Sequence, residues 1–208
     1  IVAAVRDVLR RGSRPLVADL AGRHVVISAG GTREPWDPVR FLGNASSGRQ
    51  GVELARTAIT RGALVTLVAA HLEVEPPAGC TVVRVGTALE LGRAMHEVAP
   101  SADVVVMAAA VADFRPQAVG GHKLKRAELD SEFSLPLAQN PDVLHELVAA
   151  RGAEARPVLV GFAAETGDDD AAVLKLVGLH ISRAGYEIEE CVDGVQAVGR
   201  AIADFNMI

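Results

Sequence analysis

The sequence is poor in aromatic residues, in cysteine and in long apolar runs. Aromatic side chains make up 3% of the 208 residues although half of the chain is hydrophobic, so the core must be built from Val, Leu, Ile and Ala. Such a composition is typical of buried parallel strands flanked by helices. Cys80 and Cys191 lie far apart and form no CxxC or His-containing spacing, which argues against a zinc site or a disulfide framework.

The chain also lacks a basic excess and a membrane segment. Its formal net charge is −5, whereas nucleic-acid-binding proteins usually carry a basic stripe, so we expect no nucleic-acid partner. The longest apolar stretches are too short to span a bilayer, and the N-terminus has no signal-peptide pattern. We therefore expect a cytoplasmic protein with no membrane partner. Because the first residue is Ile1 rather than Met, we expect a fragment of a longer chain.

Strand and helix patterns alternate along most of the sequence. Apolar, β-branched runs predict strands at residues 24–28, 64–69, 81–85, 103–108 and 157–162. Helices are predicted from Ser46 to about Arg61, over 87–98, and from Asn140 with Pro141 in the first turn. Residues 33–44 are predicted to be an irregular loop, and residues 133–137 a short edge strand or one arm of a hairpin. The alternation predicts an α/β fold with three layers, a Rossmann-like, mostly parallel sheet with helices on both faces.

Small residues follow the first predicted strand. Gly30-Gly31-Thr32 comes directly after it, and Ser46-Ser47-Gly48 opens the next helix. Small residues let backbone N–H groups approach a phosphate closely, and a helix N-terminus favours an anion. The pattern is neither the dinucleotide fingerprint nor a Walker A loop. A glycine-rich turn with a serine cap would explain it equally well.

Two further loops carry candidate ligand groups. Ala108-Ala109-Ala110 follows the apolar strand at 103–108 and leaves room for a ligand, and Asp113 could hold a metal ion or a sugar hydroxyl; tight packing and a turn aspartate are the alternative. Lys123-Leu124-Lys125-Arg126 could clamp phosphates or be a solvated basic loop. Because ligands bind outside the carboxyl ends of parallel strands, these loops can share one site.

The order and spacing of these segments resemble a known enzyme family. Gly30 to Arg40 reads Gly-Gly-Thr-Arg-Glu-Pro-x-Asp-Pro-Val-Arg, and Asn-x-Ser-Ser-Gly, Ala-Ala-Val-Ala-Asp-Phe, Lys-x-Lys, Asn-Pro-Asp and Gly-Phe-Ala-Ala-Glu-Thr follow in that order. From about Arg23 to Thr166 the chain resembles the phosphopantothenoylcysteine synthetase (phosphopantothenate–cysteine ligase) domain of bacterial coenzyme A biosynthesis. Residues 1–22 resemble the linker that follows a decarboxylase in bifunctional members, and 23–208 are expected to form a single domain.

The resemblance implies a two-step ligation. The carboxylate of 4′-phosphopantothenate attacks the α-phosphate of CTP and releases pyrophosphate, and the amine of L-cysteine then attacks the acyl-cytidylate and releases CMP. The divalent cation Mg²⁺ supports the first step as cofactor, with ligands that the sequence does not identify. The small-molecule partners are phosphopantothenate, cysteine and CTP, and a homodimer is implied if the family interface survives.

The resemblance also implies residue roles. Asn44 matches the position that contacts the acyl intermediate, Arg40 and Ala110 match positions of the amide-forming step, and Lys123 matches the lysine of the first step. The positions around CTP are Met107, Ala108, Ala109, Asp113, Pro141, Asp142, Val143, Leu144 and Phe162.

The resemblance ends after Thr166. Two lysines on the family's next helix bind CTP, whereas His180 and Ala184 stand approximately at those positions here. Residues 167–208 instead resemble the opening of a response-regulator receiver domain, with acidic residues at 168–170 that also fit a helix N-terminus. A chimaera whose tail completes the sheet would account for both halves. The alternatives are a ligase, intact or impaired, and an inactive scaffold that binds nucleotide weakly.

Overall fold

A computed structural model describes residues 18–125 and 132–162 of the chain. Nine strands occur in this part: β1 His24–Ala29, β2 Arg33–Asp37, β3 Arg40–Gly43, β4 Leu64–Ala69, β5 Thr81–Arg84, β6 Val104–Met107, β7 Phe114–Pro116, β8 Leu137–Gln139 and β9 Val158–Gly161. The helices in these residues are α1 Arg49–Thr60, α2 Ala88–Val98 and α3 Val143–Arg151, with a short 3-10 turn at Ala99–Ser101. The features predicted for 1–17 and 167–208 lie outside the described residues.

Five parallel strands form the central sheet in the order β5-β4-β1-β6-β9. Side chains alternate between its two faces, as the strand period requires. Val25 and Ile27 pack with α1, whereas Val26 packs with α2 and α3 in a second aliphatic cluster. The predicted three-layer α/β fold is therefore confirmed.

The connections that follow β1 and β5 lead to opposite sides of β1. The chain runs from β1 through α1 to β4 on one side, and later from β5 through α2 to β6 on the other side of β1. The strand order therefore reverses at β1, and such a switch point is where open α/β sheets bind ligands.

The prediction of an irregular loop at residues 33–44 is wrong. β2 and β3 form an antiparallel hairpin with an irregularity between Pro35 and Asp37. The buried residues of β2 are Glu34 and Asp37, so the strand has no apolar alternation to reveal it. The predicted edge strand is displaced as well, because β8 begins at Leu137 and pairs antiparallel with β7.

Two predicted boundaries also move. Leu20 is buried in the core and its N–H donates to Arg61 O at 3.0 Å, so the packed region begins before Arg23. Asp142 is the N-cap of α3, which places Pro141 before the helix rather than in its first turn. Within the described ranges, no helix is long and apolar enough to cross a membrane.

Candidate functional site

We define residues 108–112 as the alanine loop. A buried hydroxyl group accepts hydrogen bonds from the first two residues of this loop. Ser28, fully buried near the end of β1, accepts hydrogen bonds from Ala108 N at 3.2 Å and Ala109 N at 3.1 Å. Its own hydroxyl donates to Met107 Sδ at 3.7 Å. One side chain therefore fixes the direction in which the loop leaves β6.

The β1 loop, Gly30-Gly31-Thr32, runs beside the alanine loop. Ala110 N donates to Gly30 O at 2.8 Å, and Thr32 N donates to Ala110 O at 3.1 Å. The buried Thr32 hydroxyl accepts from Ala112 N at 2.9 Å. The two loops thus continue the parallel pairing beyond the sheet, and Ala110 pairs with Gly31 at the carboxyl ends of β1 and β6.

Asn44 joins a third loop to this pair. Its Nδ2 donates to Val111 O at 3.1 Å, and the residue is exposed. A primary amide has a second N–H and a carbonyl oxygen, which are the groups that an acyl ligand would need. Gly31 is required close by, because a Cβ there would lie 2.7 Å from Asn44 O.

The predicted serine cap of α1 is wrong. Gly48 is the N-cap residue, with φ at 74°, and it supplies no side-chain cap. Ser46 Oγ accepts from Gly48 N at 3.4 Å and Ser47 Oγ from Arg49 N at 3.5 Å, both long for hydrogen bonds. A Cβ at position 48 would lie 2.3 Å from Leu72 Cδ2 and 3.2 Å from Gly30 N, so a residue other than glycine would be both strained and crowded in this turn.

Asn140 connects the alanine loop to the start of α3. The residue is buried, its N–H donates to Asp113 O at 2.7 Å, and its Nδ2 donates to Ala112 O at 2.8 Å. Arg115 donates to Asn140 Oδ1 at 3.0 Å. Asp113 is exposed and lies next to the segment that ends at Asp142, the N-cap residue of α3. The Asp142 carboxylate accepts a hydrogen bond from His145 N at 2.9 Å.

Several residues predicted around CTP are core residues. Met107 and Val143 are buried, and Leu144 packs partly buried against the same cluster as α2. Phe162 is partly buried and its N–H donates to Met107 O at 3.2 Å. These side chains therefore contribute to the aliphatic packing on the two faces of the sheet.

An ion pair whose carboxylate is fully buried lies beside the segment that carries Lys123. Asp37 accepts two hydrogen bonds from the Arg40 guanidinium, at 2.9 Å from Nε and 2.5 Å from Nη2. The Arg40 bond, with backbone bonds from Val39, Leu124 and Arg40, holds the pKa of Asp37 well below its usual range although burial opposes this. Arg40 also stacks on Trp36, 4.4 Å from the ring centre.

The same pair reaches the segment that carries Lys123. Leu124 N donates to Asp37 Oδ2 at 3.2 Å, and Arg40 Nη2 donates to Leu124 O at 2.9 Å. Lys123 and Lys125 are exposed on either side of this anchor. The structure therefore brings together Arg40 and Lys123, which lie far apart in the sequence.

Sequence reasoning missed three polar residues, of which Ser28 positions the alanine loop. Ser28 had a weak signal, since it is a polar residue at the end of an apolar strand. Glu34 had none: it is buried, and Oε1 accepts from Ala88 N at 2.8 Å at the start of α2. His71, exposed after β4, also went unnoticed, and its pKa is lowered by partial burial and by Arg33, while Glu90 opposes this.

Comparison with known proteins identifies a matching protein family and several similar proteins. Residues 20–177 match the model of the DNA/pantothenate metabolism flavoprotein C-terminal domain, so the match extends beyond Thr166. The coenzyme A biosynthesis bifunctional protein CoaBC of Mycobacterium bovis is 49% identical over 174 residues, which cover 82% of this chain and 41% of that protein. The corresponding protein of Vibrio cholerae is 41% identical over 149 residues, covering 72% and 37%. The chain thus spans about two fifths of the length of these relatives.

Solved structures agree with this assignment of the fold. The crystal structure of the C-terminal domain of a CoaBC protein matches with a TM-score of 0.61 and 36% identity, covering 73% of this chain and 69% of that one. A Cab2 mutant in complex with phosphopantothenate-cysteine matches with a TM-score of 0.57 and 18% identity, covering 70% and 65%. At that identity, the second likeness shows the fold alone.

Proposed function

The chain belongs to the DNA/pantothenate metabolism flavoprotein C-terminal domain family, and from this we propose that it joins 4′-phosphopantothenate to L-cysteine with CTP as activating co-substrate. The observation that carries the proposal is the bond from Asn44 to Val111 O. It connects the loop expected to hold the acyl group with the loop expected to hold the nucleotide. Relatives named for coenzyme A biosynthesis support the substrate class.

In the first step we propose that Lys123 acts on the phosphates. A carboxylate oxygen of phosphopantothenate attacks the α-phosphorus of CTP, and the bond to pyrophosphate breaks. Negative charge accumulates on the phosphoryl oxygens, and an exposed ammonium is a mobile point charge that can follow it. No protein nucleophile is needed, because the work is to bring anions together and to stabilise charge.

In the second step we propose that Asn44 faces the acyl carbon. The amine of cysteine attacks that carbon, CMP leaves with the bridging oxygen, and the amine gives up one proton. The remaining N–H of the Asn44 amide can donate to the oxygen that becomes negative, and its carbonyl can accept from the amine. We assign Arg40 and Ala110 to the same step, and Ala110 directly precedes Val111, which Asn44 contacts.

Mg²⁺ would enter this site with the nucleotide. Within residues 18–125 and 132–162, no group of three or more His, Cys, Asp or Glu side chains could hold a metal ion. Mg²⁺ is commonly held by substrate phosphates with one or two carboxylates, and the donor set here fits that pattern. Asp113, exposed at the end of the alanine loop, would supply a carboxylate for the ion or for the ribose hydroxyl.

In its C-terminal segment the sequence departs from the family pattern, and this departure determines how strongly we expect CTP to bind. Each charge-assisted contact is worth roughly 1.5–3 kcal/mol, so replacing two lysines by residues such as His180 and Ala184 would weaken CTP binding by orders of magnitude. We therefore propose a ligase of reduced CTP affinity, and an inactive nucleotide-binding scaffold is the alternative that this departure favours. Saturating CTP separates them, because only the ligase then turns over.

We also propose that the chain acts in the cytoplasm as a homodimer. Several apolar side chains on the β2–β3 and β7–β8 hairpins are exposed, including Val39, Phe41 and Phe114. Exposed apolar side chains that form a continuous patch are typical of a contact with another protein, and we propose that these side chains form such a patch. Sedimentation should give a dimer that Phe41→Glu converts to a monomer, and a monomeric parent chain would overturn this part.

The function is tested in two stages. The 208-residue chain is incubated with CTP, Mg²⁺ and phosphopantothenate, and pyrophosphate is measured before and after cysteine is added. We expect pyrophosphate first, and CMP with the amide product once cysteine is present. Lys123→Gln should abolish pyrophosphate release, whereas Arg93→Gln, which removes a cation bonded to its own helix at Leu89 O, should not. A folded chain that releases no pyrophosphate at saturating CTP would sink the ligase.

A further inference from the structure

We propose that Asp37 is a positioning residue that couples Arg40 to the backbone beside Lys123. One buried carboxylate would then set the geometry of two cations that serve different chemical steps. The inference rests on the proposed function for the roles of Lys123 and Arg40. The coupling itself rests on the hydrogen bonds around Asp37.

Asp37 is saturated with donors from two separate parts of the chain. Its Oδ1 accepts from Val39 N at 2.9 Å and Arg40 N at 2.8 Å, which closes the turn between β2 and β3. Its Oδ2 accepts from the Arg40 guanidinium and from Leu124 N, 87 residues later. The side chain has no solvent exposure, and a buried carboxylate is stable only with such donors.

The guanidinium completes the connection. Arg40 Nη2 donates to both Asp37 Oδ2 and Leu124 O, and Leu124 N donates to Asp37 Oδ2. The ion pair therefore holds both the N–H and the C=O of Leu124. Lys123 directly precedes that anchor, and its side chain is exposed. The backbone beside the ammonium is therefore fixed, while the charge can still reach a ligand. Moving Arg40 would move this backbone, and the reverse also holds.

A carboxylate that only closed the hairpin turn would need fewer hydrogen bonds than Asp37 makes. Closing the hairpin needs only the bonds from Val39 N and Arg40 N, whereas the bonds to Leu124 add nothing to the β2–β3 turn. Glu34 provides the comparison: it is the other buried carboxylate of β2, and Oε1 bonds to Ala88 N of α2 instead of to the lysine segment. Asp37→Asn and Glu34→Gln are therefore matched amide replacements of two buried carboxyl groups.

Kinetics of the two steps separate positioning from stability. Asp37→Asn should lower kcat for both pyrophosphate release and CMP release by roughly 10²-fold, the effect expected of a misplacement of about 1 Å, with smaller changes in KM. Glu34→Gln should leave both kcat values within a few-fold of the parent at matched folded fraction, and Lys123→Gln should abolish pyrophosphate release, so that no CMP can follow. Equal effects of Asp37→Asn and Glu34→Gln would overturn the proposal.

The single tryptophan gives a readout that needs no turnover. Trp36 lies under the Arg40 guanidinium, so Asp37→Asn should change its emission and increase its quenching by acrylamide, while Glu34→Gln should change neither. If the parent chain releases no pyrophosphate, the proposed function fails, and the positioning of Arg40 is decided by this quenching alone. Unchanged quenching in Asp37→Asn would refute it.

A second variant covers the case in which Asp37→Asn does not fold. Leu124→Pro removes the N–H that bonds to Asp37 and leaves the hairpin turn intact, while Leu124→Ala keeps that N–H. We expect pyrophosphate release to fall in the proline variant and to stay near the parent value in the alanine variant. Equal rates in the two variants would contradict the coupling.

Discussion

The hydroxyl of Thr32 accepts a hydrogen bond of 2.9 Å from Ala112 N and so joins the loop after β1 to the loop after β6. Both residues are buried, Thr32 completely. The bond lies at the carboxyl ends of β1 and β6, where the strand order reverses, and it holds the last residue of the alanine loop. The shape of the site therefore depends on a side chain that need not touch a ligand.

Thr32→Val should destabilise the fold and Thr32→Ser should not to the same extent. Valine has the shape of threonine but cannot accept from Ala112 N, and an unsatisfied buried N–H costs about 1–3 kcal/mol. Urea unfolding measures the difference in free energy of unfolding between the two variants. Equal stabilities would show that the bond contributes nothing.

Asn44→Asp should block the second step without unfolding the chain. A carboxylate cannot donate to Val111 O or to an acyl oxygen, and losing one such donor costs about 10²–10³-fold in rate. Pyrophosphate should still be released, while CMP after addition of cysteine should form slowly. Gln50→Glu adds the same charge on the exposed start of α1 and serves as the control. Normal amide formation in Asn44→Asp would remove Asn44 from the mechanism.

Gly48→Ala should cost more stability than Gly22→Ala. The two glycines have nearly the same φ, 74° and 77°, so the backbone strain is alike, at about 1–2 kcal/mol. Only position 48 adds a clash, with Leu72 Cδ2 at 2.3 Å and Gly30 N at 3.2 Å, whereas nothing lies within 4 Å of a Cβ at position 22. Thermal unfolding of both variants tests the difference. Similar losses would mean that the turn adjusts without cost.

The pKa of His71 should lie below its ordinary value of about 6.5. Partial burial lowers it most, then Arg33, while Glu90 and a backbone bond with Gly86 raise it. Because the folded state binds the proton less well than the unfolded state, the free energy of unfolding should fall as the pH drops through about 6.5 to the folded pKa.

NMR titration of the imidazole checks both sign and cause. Arg33→Gln should raise the pKa of His71, and Glu90→Gln should lower it further. A pKa of His71 at or above 6.5 in the parent chain would contradict this reading of its surroundings.

Much of the sheet and the loop positions could be predicted because the signals are local. The apolar run of β6 and the glycines after β1 are visible in the sequence, and the site at their ends follows from the rule for parallel strands. The hairpin β2–β3 could not be predicted. Its buried residues are Glu34 and Asp37, and what makes their burial stable is Ala88 N and Leu124 N, tens of residues away.

The arrangement of the site was only partly predictable for the same reason. Motif order pointed to Asn44, Arg40 and Lys123, but no local pattern shows that Asp37 connects Arg40 to Leu124. The displaced strand β8 is a further example, since the apolar residues at 133–137 suggested a strand, whereas pairing with β7 fixes it at Leu137–Gln139. Long-range polar contacts determine these features, and the periodicity of apolar residues in the sequence gives no information about such contacts.

The most direct test of the account follows one oxygen atom. Phosphopantothenate labelled with ¹⁸O in its carboxylate is incubated with the chain, CTP, Mg²⁺ and cysteine, and the products are examined by mass spectrometry. If the carboxylate attacks the α-phosphorus, one labelled oxygen appears in CMP and one stays in the new amide, while pyrophosphate is unlabelled. Label in orthophosphate with release of CDP, or no label in any nucleotide product, would contradict the acyl-cytidylate mechanism.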